Sequence, residues 1–69
     1  MNLSEKNYEN VLDVKSVAKI LGVSQSYVYK IADKKEINFI KYPNALRFYE
    51  RDVLDYLNRH MVHAVDDRF

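Results

Sequence analysis

The sequence predicts one small, mostly α-helical domain with a single β-hairpin, in the order α-α-β-β-α. Apolar residues at helical spacing lie on either side of Gly22 and predict a pair of helices. Aromatic and β-branched residues flank the turn-forming dipeptide Pro43-Asn44 and predict the hairpin. Another apolar stripe follows Glu50 and predicts the last helix. Because the chain has 69 residues, we expect one domain with a small core.

The helix pair lies in residues 14–31, VKSVAKILGVSQSYVYKI. Ala18 is small enough for two helices to approach closely. Gly22 can take the turn between them, because glycine adopts a positive φ without steric cost. Val28 and Ile31 then pack the second helix against the first. This spacing is typical of a helix-turn-helix.

Capping residues support the same pair of helices. Asp13 and Ser24 precede the two helices, and their side-chain oxygens can accept hydrogen bonds from backbone N–H groups of the first turn. Two apolar pairs are spaced as hydrophobic staples, Leu12 with Val17 and Val23 with Val28. The predicted apolar face of the first helix consists of Val17, Ile20 and Leu21. Two helices that only pack together do not require all these features in register, so we favour a DNA-binding motif.

The second helix is predicted to run over about residues 25–34, with a polar face toward solvent. Such a face can enter the major groove of DNA with its N-terminal residues leading. Glutamine can form two hydrogen bonds with an adenine, and serine can donate a hydrogen bond to several base edges. Gln25 and Ser26 are therefore predicted to contact bases. The predicted phosphate contacts on this helix are Tyr27, Tyr29 and Lys30. For Tyr27, half-burial over the core is an equally good interpretation.

The hairpin follows in residues 39–49, with Pro43-Asn44 as its predicted turn, since proline presets φ and asparagine tolerates the left-handed conformation. Its place after the second helix predicts a winged helix-turn-helix. Lys41 and Arg47 bracket the turn and could meet phosphates of a neighbouring minor groove, although an ordinary solubilising hairpin is the alternative. The predicted DNA-binding residues are, in full, Ser24, Gln25, Ser26, Tyr27, Tyr29, Lys30, Lys34, Lys41, Asn44 and Arg47.

The last helix is predicted to start near Glu50 and to run past Leu57 towards His60 or Val62. Glu50 and Asp52 suit the positive end of its dipole. Its predicted apolar stripe consists of Val53, Tyr56, Leu57 and Met61. Three further apolar residues widen the stripe into a candidate surface for another protein: Leu54, Val62 and Val65. We expect a flexible N-terminus over residues 1–10, the domain over residues 11–62 and a short acidic tail over residues 63–69.

Charge is distributed unevenly along the chain, whose net charge is only +1. Residues 14–47 carry seven basic and two acidic side chains, whereas residues 1–13 and 48–69 each carry a net charge of −2. A basic patch on a defined element is typical of phosphate binding. A solvated lysine surface is the alternative interpretation of the charges alone.

Several classes of protein are disfavoured by composition. The absence of cysteine excludes a disulfide framework and a thiolate zinc site and fits a reducing cytosol. No apolar run has the length of a membrane span, and the N-terminus lacks the pattern of a signal peptide. His60 and His63 lack a carboxylate or thiolate placed to complete a metal site. Since no nucleophile has a positioned base, we expect a protein that is not an enzyme and that uses no cofactor or metal.

One set of residues between Leu12 and about His60 carries a family resemblance: Leu12-Asp13-Val14, Ala18, Ile20-Leu21-Gly22-Val23-Ser24, Val28-Tyr29-Lys30-Ile31, Glu36-Ile37, Lys41, Arg47-Phe48, Asp52-Val53 and Tyr56-Leu57. In these residues the chain resembles the excisionase-type helix-turn-helix family, a small relative of the winged helices of mercury-resistance-type regulators. The resemblance places the DNA-contacting helix on residues 24–30 and the wing arginine on Arg47. Lys35 departs from the family, which often has glycine there. The wing tip, Pro43-Asn44-Ala45, departs from a glycine-rich pattern.

The resemblance implies a sequence-specific, double-stranded DNA-binding protein of a phage or mobile element. We expect an excisionase that binds and bends DNA to assist an integrase, located in the cytoplasm of a bacterial host with the nucleoid. A small transcriptional repressor would use the same surface and is the alternative. A protein-interaction module is a third possibility. Candidate partners besides DNA are an integrase and further copies of the chain on adjacent DNA sites, with no membrane involved.

Overall fold

The structure is a computed structural model that describes residues 10–62. Within that range it contains three helices and one three-stranded antiparallel sheet. The elements in chain order are β1 (Val11–Asp13), α1 (Val14–Leu21), α2 (Gln25–Asp33), β2 (Ile40–Tyr42), β3 (Ala45–Tyr49) and α3 (Glu50–Arg59). The predicted winged helix-turn-helix is confirmed, with β1 as an addition.

β1 has no counterpart in the prediction from sequence, and it changes the sheet. The strand order is β1-β3-β2, so β3 has a partner on each side. Asp13 of β1 lies opposite Arg47 of β3, and Ile40 of β2 lies opposite Arg47 on the other side. Arg47 therefore stands on the central strand of a sheet and not on the free edge of a two-stranded wing.

The core lies where α1, α2 and α3 meet the inner face of the sheet. Val17, Val28, Phe48 and Val53 are completely enclosed, at 0% exposure. Each such side chain contributes about 1.5–3 kcal/mol through burial. The other buried residues are Val14, Ala18, Ile31, Ala32, Ile37 and Tyr56. These contacts fix α2 against α1 and leave its opposite side in solvent.

Both predicted caps and the predicted turn are present. Asp13 Oδ1 accepts from the Ser16 backbone N–H at 2.9 Å, and Ser24 Oγ accepts from the Tyr27 N–H at 3.1 Å. Gly22 has φ 71°, the left-handed conformation that favours glycine, and its N–H donates to the Ala18 oxygen at 2.8 Å. The sharp turn that orients α2 is therefore encoded locally.

A residue just past the end of α2 also has the left-handed backbone conformation, but it is a lysine and not a glycine. Lys35 has φ 61°, and its N–H donates to the Ala32 oxygen at 3.0 Å. The N–H of Glu36 donates to the Ile31 oxygen at 2.9 Å. These two bonds form a Schellman motif, in which the left-handed residue is normally glycine because a Cβ is strained there. The departure at Lys35 therefore has a conformational cost.

Two predicted core positions are wrong. Ile20 is 37% exposed, because it lies roughly 110° from the middle of the face that Val14, Val17 and Ala18 bury, at about 100° a residue. Met61 is 47% exposed, because α3 ends at Arg59 and the helical stripe stops with it. Asn44 also lacks the left-handed conformation expected for the hairpin turn, since only Gly22 and Lys35 have a positive φ among the described residues.

Some predictions concern residues outside the described range. These are most of the flexible N-terminus, the acidic tail over residues 63–69, and the side chains of His63 and Val65. Asn10 is described, and its side-chain amide donates to Glu50 Oε1 at 2.8 Å. In residues 10–62 no helix has the length and apolarity needed to cross a membrane.

Candidate nucleic-acid interface

The outward face of α2 carries the residues that were predicted to meet bases. Gln25, Ser26, Tyr29 and Lys30 are all exposed and fall within roughly 140° of one another around the helix, together with Asp33. The opposite side is buried, so the helix cannot rotate to present a different set. The predicted exposure of this face is confirmed.

Tyr27 lies between the two faces of α2 and is turned towards α3. Its hydroxyl is 3.4 Å from the Tyr56 hydroxyl, and its side chain is 39% exposed. The hydrogen bond between the two hydroxyls, which favours the protonated form of Tyr56 as donor, and the burial of that side chain raise the pKa of Tyr56 to about 12. The Tyr27 hydroxyl, which was a predicted phosphate contact, instead forms a hydrogen bond within the protein. This geometry agrees with the alternative interpretation, in which Tyr27 lies half-buried over the core.

A cleft of about 530 Å³ separates the C-terminal half of α2 from the hairpin, and we call it the wing cleft. Tyr29 and Lys35 line it from the helix side, and Lys41, Tyr42 and Asn44 line it from the hairpin side. Polar and aromatic side chains from two elements thus face one space.

A second cleft, of about 290 Å³, lies at the N-terminal ends of α1 and α2, and we call it the cap cleft. Its lining includes Lys15, Gln25, Asn44 and Arg47, and also Asp13. Tyr29 and Asn44 line both clefts, so the two form one continuous surface. Lys15 is absent from the predicted site residues, because only the folding of α1 against β3 brings it to Gln25 and Arg47.

Arg47 is the least exposed basic residue of this surface. Its Nη1 donates to the Leu46 backbone oxygen at 2.9 Å, and the side chain is half-buried. Asp13 is its direct partner across β1 and β3. Hydrogen bonds from Ser16 hold the pKa of the Asp13 carboxyl below its usual value, and the positive charge of Arg47 lowers that pKa further.

The remaining predicted residues have different surroundings. Ser24 is exposed, but its hydroxyl caps α2. Lys34 is exposed at the C-cap of α2, beside Lys35. The structure therefore brings Gln25, Tyr29, Lys41, Asn44 and Arg47 together along the clefts. Ser26 and Lys30 extend the exposed face of α2 beside them.

The end of α3 contains one ring cluster and no arranged metal ligands. His60 stacks on Tyr56 with ring centroids 4.2 Å apart, and its Nδ1 lies 3.0 Å from the Tyr56 backbone oxygen. Among residues 10–62, no group of three or more His, Cys, Asp or Glu side chains is placed to hold a metal ion.

Comparison with models of protein families matches residues 11–61 to a helix-turn-helix domain, a family of excisionase-like small DNA-binding domains. The match begins at the first residue of β1 and extends past the end of α3. Comparisons with curated proteins and with solved structures give no match. The family match agrees with the geometry, since it covers the two clefts and every element that lines them.

Proposed function

The chain belongs to this helix-turn-helix family of small DNA-binding domains, and from that premise we propose that it is an excisionase, or recombination directionality factor. In this role it binds specific duplex sites beside a recombination junction, bends the DNA and helps to place an integrase. It acts by shaping DNA and carries out no chemical step itself.

One observation carries the proposal: the exposed face of α2 and the hairpin share a continuous surface. α2 can enter the major groove with Gln25 and Ser26 leading. Lys41 and Arg47 are then placed to contact the backbone beyond that groove, and Lys15 extends the contact from α1. A protein that holds two segments of a duplex in this way can offset the cost of bending with the added contacts.

The first part of the test identifies the DNA site. Bound duplexes are selected from a random library, and the bend of the selected site is measured by its effect on gel mobility when the site is moved along a fragment. We expect one short consensus sequence and a measurable bend. Equal binding of every duplex would contradict sequence-specific recognition.

The second part tests the biological role. Where an integrase gene lies beside the gene for this chain, excision is reconstituted with that integrase, with and without the protein. We expect product only when the protein is present and its selected site is intact. A selected site that overlaps a promoter, with excision unchanged by the protein, would contradict the excisionase role and indicate a transcriptional regulator.

A further inference from the structure

The proposed DNA surface includes two carboxylates, Asp33 in the wing cleft and Asp13 in the cap cleft. Asp13 lines the cap cleft together with Lys15, Gln25 and Arg47. A phosphate group that approached Lys15 and Arg47 would be repelled by the negative charge of Asp13, which weakens the attraction. The position of Asp13 therefore works against the binding of any duplex, and its presence requires an explanation.

Helix capping does not require this charge. Asp13 caps α1 by accepting from the Ser16 N–H, and Ser24 caps α2 by the same kind of bond with a neutral hydroxyl. Asparagine, aspartate and serine are about equally good at this position of a helix. The carboxylate of Asp13 thus adds a negative charge to a cap that a neutral side chain can also form.

That charge faces Arg47. The two residues are direct partners in the antiparallel pairing of β1 and β3, so their side chains lie on the same face of the sheet. Opposite charges in such cross-strand pairs attract each other. Arg47 Nη1 also donates to the backbone oxygen of Leu46. The guanidinium thus has one hydrogen bond within the protein, and the charge of Asp13 attracts it across the strand pair.

We propose that Asp13 restrains Arg47 by competing with DNA phosphate for its guanidinium group, and so limits binding to duplex DNA of any sequence. The proposal rests on the DNA surface described under Proposed function. Since non-specific binding is almost entirely a matter of phosphate contacts, a restrained arginine lowers the background of non-specific complexes. Contacts of Gln25 with bases are left intact, so the specific site keeps its advantage.

The test measures binding to a random-sequence duplex at about 50 mM salt, where phosphate contacts are strong. Asp13→Asn keeps a capping oxygen and removes the charge, and we expect it to bind about threefold to tenfold more tightly than the wild type. Asp13→Ser is a second variant with the same expectation. Asp55→Asn, on α3, removes the same charge outside both clefts and should stay within about twofold of the wild type. Thermal unfolding establishes that each variant is folded.

A double-mutant cycle separates restraint from simple repulsion. In an Arg47→Ala background, the gain from Asp13→Asn should fall to less than about half its original value. An equal gain with and without Arg47, or an equal gain from Asp55→Asn, would overturn the restraint. Unchanged affinity in both Asp13 variants, with a wild type that binds, would overturn only this inference. A wild type that does not bind duplex DNA would overturn the proposed function as well.

Discussion

The two faces of α2 differ in composition, in exposure and in what a substitution should affect. Val28, Ile31 and Ala32 are at most 2% exposed and fix the helix to the core. Gln25, Ser26, Tyr29 and Lys30 are exposed to solvent. This nine-residue helix thus has one face packed on the core and one face open to solvent, and we propose that the second face contacts DNA. Substitutions on the inner face should change unfolding, and those on the outer face should change DNA binding.

The largest effect is expected on the inner face. Ile31→Ala removes buried atoms from a position only 2% exposed, and we expect a loss of about 2–5 kcal/mol in the free energy of unfolding. Lys30→Ala, the neighbouring residue on the outer face, should change it by less than about 0.5 kcal/mol. Urea denaturation measures both. Similar losses of unfolding free energy in the two variants would show that both faces of α2 contribute to stability.

The next effect concerns recognition. Gln25→Ala should cost about 1–3 kcal/mol in binding to the selected site and little on random duplex, because a base contact is lost and phosphate contacts remain. Its free energy of unfolding should stay close to that of the wild type. Affinities for the two duplexes are compared at one salt concentration. Asn58→Ala, at an exposed position of α3, is the matched control and should leave both affinities unchanged. An equal loss on both duplexes for Gln25→Ala would reject Gln25 as a base contact.

The C-terminal end of α2 provides the third test. Lys35→Gly should stabilise the protein by about 1 kcal/mol, because glycine relieves the left-handed strain at φ 61°. Lys34→Gly is the control, since Lys34 has φ −83° and gains nothing from glycine. Thermal unfolding compares the two variants. Stabilisation by Lys34→Gly, or none by Lys35→Gly, would contradict the account of strain at the end of α2.

A smaller change is expected in the salt dependence of binding. Lys41→Ala should reduce the slope of log K against log salt concentration by about one unit and weaken binding uniformly across sequences. Lys19→Ala removes an exposed lysine of α1 that lines neither cleft, and its slope should match that of the wild type. Binding is measured at several salt concentrations. An unchanged slope for Lys41→Ala would remove the hairpin from the interface.

The last effect lies at the boundary between the two faces of α2 and is confined to high pH. The pKa of Tyr56 is raised from 10.0 to about 12, so its neutral form is favoured in the folded state. This contribution to stability is complete below pH 10.0 and is lost as the pH rises towards about 12. Tyr27→Phe removes the hydroxyl that is the main cause, so stability should fall less over that interval. Urea denaturation across the interval tests this, and an identical fall in both proteins would contradict it.

The parts of the structure that follow local rules could be predicted from sequence. The caps at Asp13 and Ser24 and the turn at Gly22 depend on residues a few positions apart, whereas Lys35 was singled out only by the family resemblance. β1 could not be predicted, because three residues form a strand only through their pairing with β3. Periodicity located an apolar stripe on α1 but not its centre, which explains the error at Ile20. The clustering of Lys15 with Gln25 and Arg47 is a result of tertiary structure.

The most direct measurement is a titration of the protein with random-sequence duplex, followed by the chemical shifts of its backbone amides. We predict small chemical-shift changes along α3 and the largest changes at Lys15, Gln25, Ser26, Tyr29 and residues 41–47. The titration requires no knowledge of the specific DNA site, and it tests at once whether α1, α2 and the hairpin contact DNA. The largest changes along residues 52–58, with α2 unaffected, would contradict the assignment of this surface to DNA.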